Sequence, residues 1–134
     1  MRQLQDALVE TMVLVSASDG RMTDSELRAM SDIVVGLPVF DGFDLDSLED
    51  TANRLIAVLE REDGIDEALE RLKTTLPQRW RETAYALACD IVAADGSASQ
   101  EELRILEMLR HEIGVDRLTA AAIERGARAR YTRP

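Results

Sequence analysis

Two stretches of this chain spell the same junction. Residues 17 to 28 read ASDGRMTDSELR and residues 93 to 104 read AADGSASQEELR, with six of the twelve positions identical and a hydroxyl kept where Thr23 stands against Ser99. Each copy lies between two runs whose apolar residues recur three and four positions apart, the period of one helix face. A helix–loop–helix unit written twice suggests two related hairpins packed about an approximate two-fold axis.

The rest of the chain carries the same period. Leu4, Leu8, Met12 and Val15 mark a first helix, and Leu27, Met30, Val34 and Leu37 a second that Pro38 terminates. Leu48, Ala52, Leu55 and Leu59 mark a third; Gly64 interrupts, and Ile65, Ala68, Leu69 and Leu72 begin a fourth. Pro77 fits the first turn of a fifth helix, whose Trp80, Ala84, Leu87, Ala88 and Ile91 span the widest apolar arc, so this helix is expected to be the central, most buried one. Leu103, Leu106, Leu109 and Ile113 mark a sixth ending near Gly114, and Asp116 caps a seventh containing Leu118, Ala121 and Ala122. No run alternates with period two for long enough to make a sheet. The expected fold is all-α, one domain over 1–134 of about seven helices, with a basic, fraying tail from about residue 128.

At 134 residues the chain can bury a self-standing core without a disulfide or structural metal. Its formal net charge of −10 argues against nonspecific binding to nucleic acid or anionic lipid, and no nucleic-acid partner is expected. The single cysteine, Cys89, excludes an internal disulfide and a cysteine-based zinc cluster and suits a reducing compartment. No stretch is apolar for long enough to span a bilayer, and Asp6 and Glu10 interrupt the start where a signal peptide would be apolar. The expected location is the cytoplasm. No phosphate loop, nucleophile elbow or zinc-ligand array is present, and His111 stands alone, so no enzymatic activity is expected.

The repeated junction supports two readings. In the first, Asp19-Gly20 and Asp95-Gly96 are turns, Thr23 with Glu26 and Ser99 with Glu102 are capping boxes, and Leu27 and Leu103 are the first core residues of the next helix. In the second, an acid, a turn glycine and a glutamate six residues later match the second half of a calcium-binding loop. Val15 and Ala17, and Ile91 and Ala93, stand where such a loop puts its first acidic ligands, so neither copy is a standard EF-hand. Four carboxylates gathered by two converging loops would need a cation, protonation or full hydration. Oxygen ligands favour Ca²⁺, with Mg²⁺ and Mn²⁺ as alternatives.

With Ala17-Ser18-Asp19-Gly20, Glu26 and Leu27 repeated 76 positions on as Ala93-Ala94-Asp95-Gly96, Glu102 and Leu103, the chain resembles the TerB-like proteins of tellurite resistance. Leu37-Pro38-Val39-Phe40 and the segment from Ala122 to Arg128 resemble a bacterial subgroup. The resemblance implies a compact helical domain in a bacterial cytoplasm, at the inner face of the membrane, linked to tellurite and other stresses. It also implies a divalent cation held by acidic side chains and a membrane partner of the TerC type. Carried over by position, the metal ligands are Asp19, Glu26, Asp95 and Glu102, with Asp24 weaker because its counterpart is Gln100. The alternative is a metal-independent interaction module.

Three features lie outside that reading. Arg125, Arg128, Arg130 and Arg133 form a basic C-terminus that can complement a helix dipole, meet an acidic surface or anionic lipid, or pair with a second copy in a homodimer. Phe40 and Phe43 flank a loop, at least one of them expected in the core. Cys89 is expected to be a small core residue.

Overall fold

The computed structural model describes residues 1–17, 21–96 and 98–134. Among them are seven α-helices, three short 3₁₀ turns and no strand: α1 (Arg2–Ser16), α2 (Asp24–Val35), α3 (Leu48–Leu59), α4 (Gly64–Thr75), α5 (Arg81–Asp95), α6 (Gln100–Ile113) and α7 (Arg117–Arg130). The all-α expectation holds, and the apolar stripes from α1 to α6 fall on helices apart from Leu37 and Trp80, the latter in the 3₁₀ turn before α5. Leu37 leaves its stripe, because α2 stops at Val35 and the residue before Pro38 is extended, with φ −113° and ψ 138°.

The most buried helix is α1, not α5 as the apolar arc implied. Every residue from Ala7 to Val15 is buried, Glu10 and Thr11 included. The reason is packing on all sides: α3, α4, α5 and α6 all rest on α1. Helix α5 is the second axis, contacting α1, α2, α6 and α7. Thus α2 packs on α5 of the other hairpin and α6 packs on α1, the reciprocal exchange that a two-fold relation between two units produces.

The buried polar side chains Gln5, Glu10 and Thr11 of α1 have partners. The Thr11 hydroxyl donates to the Ala7 carbonyl at 2.9 Å, and Arg71 of α4 reaches Glu10 at 3.0 Å. Gln5 donates to the carbonyls of Val39 and Asp41 at 3.1 and 3.3 Å, tying the loop after α2 to α1. In that loop Phe40 is buried and Phe43 packs edge-on against it, the centroids 5.5 Å apart. Arg81, at the start of α5, donates to carbonyls of Lys73, Leu76 and Ile113 at 2.8, 3.2 and 3.4 Å. One guanidinium thereby satisfies the carbonyl ends of α4 and α6.

Two further expectations are corrected. Pro77 caps a 3₁₀ turn, Gln78–Trp80, and α5 begins only at Arg81. In α7 the stripe Leu118, Ala121, Ala122 is exposed, Leu118 at 83%, and the buried positions are Ala120 and Ala127 with Ile123 half-buried. The register of α7 is set by polar contacts to α5, not by its own few large apolar residues. The Tyr85 hydroxyl donates to Glu124 at 2.5 Å and Arg130 bridges to Asp90 at 2.5 Å. Gly64 does more than interrupt a pattern: a Cβ there would lie 2.3 Å from the Val58 carbonyl oxygen, so α3 and α4 could not meet at that corner.

Candidate acidic cleft between the two repeated junctions

Both repeated junctions build the capping box that their sequences specify. The Glu26 amide donates to the Thr23 hydroxyl at 3.1 Å, while Glu26 Oε1 accepts from the Thr23 amide at 3.0 Å and hydroxyl at 2.9 Å. In the second copy the Glu102 amide donates to Ser99 at 3.1 Å and Glu102 Oε1 accepts from the Ser99 amide at 2.9 Å. Both carboxylates also stand in the first turn of a helix, where the dipole favours negative charge. Asp95 is the last residue of α5; Gly96 follows in the left-handed conformation, φ 82°, and its amide bonds the Ala93 carbonyl.

The crossing of the two hairpins brings these ends together. Glu26, Asp95 and Glu102 line one cleft, whose two adjoining hollows measure about 130 and 260 Å³ and share Ser16 on their walls. Asp19, the fourth candidate, lies outside the described residues. Among the described residues no three His, Cys, Asp or Glu side chains are grouped closely enough to hold a metal ion. The donor chemistry of the three carboxylates suits a hard cation, but by themselves they do not form a closed ligand set.

Sequence reasoning placed no basic group here, yet one is present. Arg133 reaches back from beyond α7 and lines the inner hollow beside the three acids. Its guanidinium donates to the Ala94 carbonyl at 3.2 Å and lies over Gly96, where a Cβ would come within 2.7 Å of it. Only the return of α7 along α5 shows this contact. No local pattern announces a pair 39 residues apart.

The helical order agrees with the family comparison. The family described as tellurite resistance protein TerB matches residues 5–125 of the chain. The chain belongs to the TerB family. A search of the curated proteins and of the solved structures found no match to it. The TerB match embraces both junctions and all seven helices except the last residues of α7 and the first three of α1.

Cys89 and His111 take no part in the cleft. Cys89 is buried in α5, and burial pushes its thiol up to about 12, against a smaller opposing pull from the Tyr85 hydroxyl. The thiol stays protonated at neutral pH and is a poor nucleophile. His111 is exposed in the last turn of α6. Among the described residues no helix is long and apolar enough to cross a membrane.

Proposed function

We propose that this TerB-family chain is a non-enzymatic, tellurite-resistance-type protein of the cytoplasm that takes a divalent cation, Ca²⁺ before Mg²⁺ or Mn²⁺, between its two repeated junctions. It would act beside a membrane-associated partner of the TerC type. The observation that supports this reading is the meeting of Glu26, Asp95 and Glu102 around one cleft, although they come from opposite hairpins. Each capping bond uses Oε1 of its glutamate and leaves Oε2 to another partner. Asp19, at the repeat position of Asp95, is the residue that would complete the set. An interior cation would offset the mutual repulsion of these acids, and the caps would keep two of them in place before it arrives.

Thermal unfolding of chelator-stripped protein against Ca²⁺, Mg²⁺, Mn²⁺ and Zn²⁺ tests it, with Asp19→Asn, Asp95→Asn alongside. A cation bound only by the native state raises the midpoint once its concentration exceeds its dissociation constant. The expected result is a rise selective for Ca²⁺ that is absent from the double variant. A flat response in the parent protein leaves the second reading, a metal-independent interaction module. That reading is favoured by one observation of its own: both glutamates are already engaged as caps.

A further inference from the structure

Three carboxylates line the inner hollow of the cleft, and one cation, Arg133, lines it with them. The adjoining outer hollow adds Glu101 to the same three acids and has no basic side chain among the described residues on its walls. Arg133 belongs to the segment that follows α7, and that segment is tied down along its length. The Tyr131 amide bonds the Ala127 carbonyl at 3.2 Å, the Thr132 hydroxyl donates to the Arg128 carbonyl at 2.8 Å, and Arg130 is bridged to Asp90 of α5. These bonds set the turn from which Arg133 reaches the Ala94 carbonyl across Gly96, a residue without the Cβ that would meet the guanidinium.

The guanidinium is held there without being clamped. Among the described residues it bonds a neutral carbonyl and is ion-paired to none of the three acids. Its attraction to them is then Coulombic, felt across the hollow and weakened by salt. Arg133 also lines the trough of about 680 Å³ that α6 and α7 leave along α5, where Leu103, 46% exposed, stands in one wall. Displaced from the cleft, an exposed arginine has that space to swing into without disturbing the core. We propose that Arg133 is the cleft's tethered counter-cation, which a divalent ion must displace in order to enter between the two junctions. This role rests on the cation reading above and sets its threshold: the segment after α7 determines how much free cation the cleft needs. A tethered charge acts at a high effective concentration, so it weakens a competing ion without abolishing its binding.

The test follows the melting midpoint of the full chain in rising Ca²⁺, the parent beside Arg133→Gln and Arg133→Lys. Half-saturation is expected at a Ca²⁺ concentration at least threefold lower in the glutamine variant, with the lysine variant near the parent because it keeps the charge. A nitroxide on Pro134→Cys follows the segment directly, since Cys89 is buried and does not take the label. Its immobilised component should fall at least twofold when Ca²⁺ is added to the otherwise unchanged chain. The same fall is expected without metal when Glu26→Gln, Asp95→Asn and Glu102→Gln are combined, the glutamines keeping the oxygen that each cap uses. The proposal is overturned if the parent responds to Ca²⁺ and Arg133→Gln responds at the same concentration, or if the label is equally mobile with and without the three acids. A midpoint unmoved by Ca²⁺ in both proteins overturns the cation reading, and this role with it; the two failures differ in whether the parent responds.

Discussion

Thr23 and Ser99 receive the same amide and orient the same glutamate, with bond lengths that agree within 0.1 Å. The helices on either side of these twin caps do not match. Position by position, Leu8, Met12 and Val13 of α1 stand against Ala84, Ala88 and Cys89 of α5. The large residues of α1 fill a core closed by four helices, whereas the small ones of α5 let α7 lie close against it. Leu27 and Leu103 diverge for a related reason: Leu27 is partly covered, while nothing closes over Leu103. Duplication thus preserved the junction and released the faces. One hairpin became the core and the other gained a trough.

Truncation in α1 should break the symmetry most visibly. Met12→Ala empties a fully buried site and is expected to cost about 2–5 kcal/mol in urea unfolding. The matching residue of α5 is already alanine, so a cost under about 1 kcal/mol would mean that α1 is not the central helix.

Gly96→Ala comes next. The left-handed backbone costs a residue with a Cβ about 1–2 kcal/mol, and the new methyl must also displace the Arg133 guanidinium. A Gly96→Ala, Arg133→Ala double variant that recovers part of the loss would sharpen the assignment to that contact.

The caps probe what the repeats share. Thr23→Ala and Ser99→Ala should each cost about 1 kcal/mol, and the costs should add. If one cap proved worth several times the other, the two junctions would not be energetic equivalents.

The smallest effect concerns pH. Burial raises the Glu10 carboxyl above its ordinary value, only partly opposed by Arg71. Its folded pKa therefore exceeds its unfolded one. The stability tied to Glu10 is full below the unfolded pKa and is lost as pH rises through the folded pKa. Glu10→Gln should flatten the stability profile in that acidic window while keeping a hydrogen-bonding partner for Arg71. A profile identical to the parent's would remove Glu10 from the pH response.

The helices, the two caps, the Asp116 cap on α7 and the pairing of hairpins were legible in the sequence because each rests on contacts within four residues or on a visible repeat. The misreadings share a cause. An apolar arc reports how much of a helix can be buried, not how many neighbours arrive, so α5 was ranked above α1. The alanine-rich α7 takes its register from the bonds of Glu124 and Arg130 to Tyr85 and Asp90, about forty residues away. The acidic residues were legible one junction at a time, and their resemblance to TerB named the family. That Glu26 meets Asp95 and Glu102, that Arg133 lies among them, and that Leu103 walls a trough were decided by the packing of one hairpin across the other. Local periodicity carries no information about which helix ends that crossing brings together.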